Sequence, residues 1–210
     1  MSLNVFSASD IASVLTRSAK DLREFANELD ALDAAIGDGD HGSSVTTLFE
    51  TAVAETELSD PSAGRLLKQF GTALMRHCSG ASGTLYAVLF TNLGTTLELD
   101  DELDLSELAR GFRRGLEMVQ QVGGASPGDA TLIDALKPFV DVLEEQSRSD
   151  VSLSKALDLA AEAATSGANL TSTMVARIGR ARNFGDRSLG HEDPGARSFA
   201  VIANSWRSSG

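Results

Sequence analysis

The chain contains a single cysteine, Cys78, which excludes an internal disulfide, and with only three histidines it has no Cys/His cluster of the kind that holds zinc. Positive charge is scarce as well: 18 Lys and Arg stand against 30 Asp and Glu, giving a formal net charge of -12 and a pI near 4.6. So acidic a balance argues against a nucleic-acid footprint and against adhesion to an anionic membrane, leaving small molecules or other proteins as partners. No stretch approaches the roughly 18 apolar residues of a spanning helix, and Met1 to Asp10 has no basic segment leading into an apolar run, so a cytoplasmic protein is expected. Alternating apolar runs between turn signals, an Asn-Gly hairpin and a low-complexity linker are all missing. The 210 residues therefore read as one all-α domain, 1–210, long enough to bury a sizeable core.

What is present is helical periodicity. Ile11, Leu15, Leu22, Phe25, Leu29 and Leu32 recur at helix spacing, with Ser9 or Asp10 as a cap. Further helices are expected over about residues 42–57 and 63–77, then from Leu85, around Leu108 to Leu116, around Leu132 to Leu143, from Leu153 to about Arg177, and from Pro194 with Asp193 as its cap. Eight helices with short connections form an up-down bundle in which alternate loops share an end. The odd loops, residues 37–42, 79–83, 123–129 and 179–193, carry the glycines and aspartates, whereas the even loops near Ser59, Asp100 and Arg148 are bland. Four loops thus converge into one pocket beside helix N-termini, whose partial positive charge suits an anion.

The densest chemistry is Asp33-Ala34-Ala35-Ile36-Gly37-Asp38-Gly39-Asp40-His41-Gly42-Ser43-Ser44. Three carboxylates within eight residues repel one another unless a cation sits among them, which points to a metal site. Residues 37–42 match G-x-G-x-x-G, but they follow a helix rather than a strand and would aim carboxylates at a pyrophosphate, so the Rossmann reading fails. An EF-hand fails too, with Ser43 in place of glycine at the sixth loop position and Phe49 in place of glutamate at the twelfth. Arg177, Arg180, Arg182 and Arg187 add guanidinium groups to the same end. Carboxylates for magnesium beside arginines for phosphate suit a polyphosphate guest.

These residues, taken with Gly80-Ala81-Ser82-Gly83, Pro127-Gly128-Asp129, Gly179-Arg180-Ala181 and Gly190-His191-Glu192-Asp193-Pro194-Gly195, resemble the nucleotide-binding L subunit of dihydroxyacetone kinase over roughly residues 8 to 205. The resemblance implies a barrel of eight antiparallel helices with a nucleotide funnel at one end. It implies that Asp33, Asp38 and Asp40 bind two Mg2+, and that His41, Gly42, Ser43, Ser44, Ala81, Ser82, Gly123, Leu132, Arg180, Asp193, Pro194 and Gly195 surround ADP or ATP. Asp38, Asp40 and Arg180 would serve the transfer itself. It further implies a separate K subunit that holds the ketose and a phosphotransferase-system protein that recharges ADP kept as a coenzyme, while fused relatives use ATP directly. A homodimer is left open. Ile178 and Ala130 depart from the family pattern at positions where basic residues occur in relatives, which leaves the donor and the ketose undetermined. Two alternatives stand beside this reading: a nucleotide-loaded regulatory subunit that binds a transcription regulator, and an ATP-dependent kinase subunit for another small ketose.

Overall fold

The computed structural model describes residues 4–207; residues 1–3 and 208–210 of the expected domain lie outside the described residues. The first helix, α1 (Ala8–Ile36), opens on a capping box in which Ser7 and Asp10 satisfy each other's backbone N–H, and it buries Ile11, Leu15, Leu22 and Leu29 along one stripe. There follow α2 (His41–Glu55), α3 (Ala63–His77), α4 (Gly80–Leu97), α5 (Leu105–Gly123), α6 (Ile133–Gln146), α7 (Leu153–Leu170) and α8 (Pro194–Ser205), eight α-helices among the described residues. Each packs on its successor and α8 returns to α1, so the bundle closes as a barrel.

Aromatic rings fill the interior. Phe49 meets Phe70 and Tyr86 at 5.4 Å and Phe90 at 5.7 Å between ring centroids, all edge-on. On the other side Phe112 contacts Phe139 at 5.0 Å and Trp206 at 5.1 Å. Burying each such ring contributes roughly 1.5–3 kcal/mol, and no helix among the described residues is long and apolar enough to cross a membrane.

The structure departs from the periodicity reading at several points. The cap of α1 is Ser7, whose hydroxyl accepts from the Asp10 N–H, rather than Ser9 or Asp10, which lie inside the first turn. The seventh helix stops at Leu170 rather than near Arg177, because the hydroxyls of Thr171, Ser172 and Thr173 donate back to the carbonyls of Ala168, Asn169 and Leu170 and offer the backbone an alternative to further helix. Gly80 to Gly83 form the first turn of α4 rather than a loop; first-turn N–H groups have no partner within the helix, so flexible residues are tolerated there. Finally, β1 (Val5–Phe6) and β2 (Leu103–Asp104) pair antiparallel, Val5 opposite Asp104 and Phe6 opposite Leu103. Two-residue strands are too short to leave an alternating pattern.

Candidate metal and anion site

The site grows from the end of α1. Asp33 is buried in the last turn, and its Oδ2 accepts from the N–H groups of Gly39 (2.8 Å) and Asp40 (3.1 Å), folding the following loop back over the helix end. That reversal needs a left-handed residue, which Gly39 supplies at φ +81°. Asp38 and Asp40 are thereby brought to Asp33, and one carboxylate oxygen from each lies within 4.8 Å of the other two. Arg180 answers this charge: its Nη1 donates to Asp38 and lies 3.8 Å from Asp40. Three hard oxygen donors, partly exposed and balanced here by a guanidinium, fit magnesium.

Beside the carboxylates opens a cavity of about 890 Å³ whose lining comes from all four odd connections and the helix starts next to them. Asp33, Asp40, His41, Ser43, Ser44, Ala81, Ser82, Gly123, Leu132, Arg180, Asp193, Pro194 and Gly195 all face it. Asp38 lies just outside, held by Arg180, and Gly42 packs the other way, where an added Cβ would meet the Ala26 carbonyl oxygen at 2.0 Å. None of α2, α4 and α6 has a side-chain cap at its N-terminus, although each starts at this cavity. At α6 the Ile133, Asp134 and Ala135 N–H groups already have acceptors in Thr131 and Leu132, so the first N–H groups of α2 and α4 are the donors an anion needs.

One exception comes from a residue that sequence reasoning passed over. Asp30, on α1, accepts from the Ser43 backbone N–H at 3.0 Å and the Ser43 hydroxyl at 2.5 Å. Burial works to raise the Asp30 carboxyl, but these donors together with the Gly42 N–H and His41 hold it below its ordinary value. The Ser43 and Gly42 N–H groups therefore already have an acceptor in Asp30, which leaves the His41 N–H at the start of α2 for an anion.

The deeper wall is polar and dry. His41 Nε2 lies 2.8 Å from Ser198 Oγ, which lies 2.7 Å from the Tyr86 hydroxyl. Burial lowers the His41 ring below its ordinary value despite the nearby carboxylates of Asp33, Asp30 and Asp40. Asp193 caps α8 by accepting from Ala196 N–H at 2.7 Å; burial is the main reason its carboxyl is pushed up to about 7, with Asp134 and Asp33 adding like charge. Asp134 shapes the loop before α6 by accepting from Gly128 (2.5 Å) and Thr131 (2.8 Å), and Ala130 between them adopts φ +56°, unusual for a residue with a Cβ.

The four arginines do not all converge as expected. Arg180 alone among them lines the cavity; Arg177 pairs with Asp129 at 3.8 Å, Arg187 lies over the Phe184 ring, and Arg182 is exposed. Arg180 is positioned by a small apolar cluster of Ile36, Ala130, Ala176 and Ala181, with Met174 and Phe184 against it, which pins this segment to the end of α1. The lining also includes Thr47, Leu48, Thr51, His77 and Tyr86, which sequence reasoning missed. Ser44, Thr47, Leu48 and Thr51 recur at helix spacing, a signal that α2 turns one face into the cavity.

A closed helical barrel whose mouth combines clustered carboxylates, an arginine and uncapped helix starts defines a helical domain with a candidate metal and anion site. Comparison with known proteins makes the class specific: a DAK2 domain is matched over residues 35–208, and the chain belongs to that family. It is 37% identical over 197 residues to the ADP-binding subunit DhaL of the PEP-dependent dihydroxyacetone kinase of Escherichia coli K12, covering 93% of this chain and 94% of that subunit. It is 36% identical to a D-erythrulose kinase of Mycolicibacterium smegmatis over 92% of this chain but 34% of that enzyme. Among solved structures, the dihydroxyacetone kinase of C. freundii in complex with AMP-PNP and Mg2+ matches with a TM-score of 0.71 and 28% identity, over 93% of this chain and 33% of that one.

Proposed function

We propose that this chain is the nucleotide-binding, phosphoryl-transferring subunit of a dihydroxyacetone-type ketose kinase, acting in the cytoplasm as one domain. The observation that carries the reading is the meeting of a three-carboxylate cluster with uncapped helix starts at the edge of one cavity. It is supported by the similarity to a DhaL subunit along nearly its whole length and to a kinase solved with AMP-PNP and Mg2+.

Asp33, Asp38 and Asp40 would hold two magnesium ions, which when bound neutralise phosphate charge and orient the phosphoryl group for in-line displacement. The chain's own residues do the rest. The backbone N–H of His41 and the first turn of α4, with Ala81 and Ser82, donate to phosphate oxygens. Arg180, aimed across the carboxylates, presents a fork to the transferring group. Gly123, Leu132, Pro194 and Gly195 wall the apolar side of the cavity and exclude water around the nucleoside. ADP would remain as a coenzyme, recharged by a phosphotransferase-system protein, and the ketose would be presented by a separate K subunit. Denaturing the purified protein and identifying the released small molecule tests this reading. ADP is the expected product, ATP alone would point to nucleotide exchanged as a substrate, and absence of any nucleotide affinity would overturn the proposal.

A further inference from the structure

The loop between α5 and α6 is held by a carboxylate that does not itself line the cavity. Asp134, buried in the first turn of α6, accepts from the Gly128 N–H at 2.5 Å on one oxygen and from the Thr131 N–H at 2.8 Å on the other. Its backbone is fixed from behind by α7, where a Cβ added at Gly167 would meet the Asp134 carbonyl oxygen at 2.1 Å. For two amides three residues apart to reach one carboxylate, the chain between them turns back. That turn falls on Ala130, at φ +56° the one non-glycine with positive φ among the described residues. Gly124 and Gly128 in the same loop take φ +66° and +94° with no Cβ to strain them.

Glycine at position 130 would relax the turn, so the retained methyl points to a task that a hydrogen atom cannot perform. The methyl belongs to the buried cluster with Ile36 at the end of α1 and with Ala176 and Ala181 on either side of Arg180. Its neighbour Asp129 ties the same two segments together, the carbonyl accepting from the Arg177 N–H at 3.1 Å. Beyond these ties the Arg180 segment folds on itself: the Ser188 hydroxyl accepts from the Ala176 N–H at 2.9 Å and donates to the Gly185 carbonyl at 2.7 Å. Gly179, Gly185 and Gly190 put left-handed joints into it, each with open space around the missing Cβ. A segment jointed in this way takes its pose from what it leans on.

We infer that Asp134 and Ala130 are positioning residues for Arg180: the carboxylate holds the loop in a strained turn, and the turn sets the alanine methyl against the segment that carries the guanidinium. Arg180 is thereby kept beside Asp38 and Asp40, at the edge of the cavity. The same carboxylate fixes Thr131 and Leu132 on the cavity wall, so one buried side chain registers the wall and the arginine together. The consequence for ligand affinity rests on the nucleotide reading above; the ordering of the Arg180 segment does not.

The test uses the full chain. Ala130→Gly deletes the methyl but relaxes the turn, so its thermal midpoint is expected to stay within about 2 °C of the wild type. Amide hydrogen exchange over residues 176–188 of the ligand-free protein is expected to become about tenfold faster, and Mg-ADP affinity to fall about fivefold. A merely structural position would lower midpoint and affinity together. In an Arg180→Ala background the same change should remove no further affinity, because the group it positions is gone. Asp134→Asn should loosen residues 128–134 and 176–188 together. Unchanged exchange over 176–188 in Ala130→Gly, or an equal loss of affinity with and without Arg180, would overturn the inference. Should Asp134→Asn fail to fold, Ala130→Gly decides it alone. If the wild type binds no Mg-ADP, the functional proposal falls and the exchange pattern still settles what holds the Arg180 segment.

Discussion

The two ends of the barrel are built from the same helices and treat helix starts in opposite ways. At the even end each helix is closed by its own sequence: Ser7 and Asp104 form capping boxes on α1 and α5, while Ser62 and Ser152 cap α3 and α7. At the odd end α2, α4 and α6 begin without side-chain caps from their N-cap residues, and α8 is capped by Asp193, whose carboxyl desolvation pushes up to about 7. The His41 N–H and the first N–H groups of α4, which no side chain caps, mark the end where a ligand supplies the missing acceptors. The even end carries the stability that the odd end gives up.

The strongest way to break this contrast is to remove a carboxylate from the acidic cluster. Asp38→Asn takes away one of three metal ligands and the main partner of Arg180. It should reduce metal-dependent nucleotide retention by more than about 100-fold, measured by nucleotide released from purified protein and by calorimetry with Mg-ADP. Retention at the wild-type level would show that the cluster is only a solvated turn.

The Asp193 cap gives a pH signature of its own. Asp193 is raised from an ordinary 3.8 to about 7, so between those values the folded chain keeps a proton that the unfolded chain has lost. Its contribution to stability is thus full below about pH 4 and is lost as pH rises through about 7, by up to about 4 kcal/mol. Asp193→Asn keeps the cap oxygen without the titration. Urea midpoints from pH 4.5 to 8 should fall for the wild type relative to this variant, and parallel curves would contradict the burial of charge at this position.

Much of this contrast is visible in the sequence. The leucine and phenylalanine stripes place the helices, and their parity sends the glycine- and aspartate-rich loops to one end. Long-range detail is not visible. Nothing local says that Asp30 in α1 will reach Ser43 in α2, or that Ser198 will meet His41 157 positions away, because such pairings arise only once the barrel closes. The arginine cluster misleads for a related reason: four basic residues within eleven positions look equivalent, but the Ile36, Ala130 and Ala181 packing aims Arg180 alone at the carboxylates. The early end of α7 is written in Thr171-Ser172-Thr173, a run of hydroxyls whose competition with the helix is weaker to read than a proline.

A cap can also be added where the odd end lacks one. Ser79 already has the extended backbone of a cap residue, φ -135° and ψ 148°, but its side chain makes no capping bond. Ser79→Asp should close the start of α4 and stabilise the ligand-free protein by about 0.5–1 kcal/mol. The same carboxylate would occupy donors meant for phosphate and repel it, so Mg-ADP should bind about tenfold more weakly. Opposite shifts of the thermal midpoint and the affinity are the expected pair; a rise in both would mean that α4 does not contribute anion donors.

The smallest effect is expected from the converse change at the even end. Ser152 caps α7 through the Lys155 N–H at 3.3 Å, far along the chain from every residue assigned to the cavity. Ser152→Ala should cost about 1 kcal/mol, which in a chain of this length lowers the thermal midpoint by about 2–4 °C. Mg-ADP affinity should stay within about twofold, because α7 contributes no lining residue and the loss is shared by bound and free protein alike. Added nucleotide would then raise the midpoints of wild type and variant by the same amount. A smaller rise in the variant would mean that closing the barrel at one end tunes the ligand site at the other, and that the two ends are coupled through the helices rather than independent.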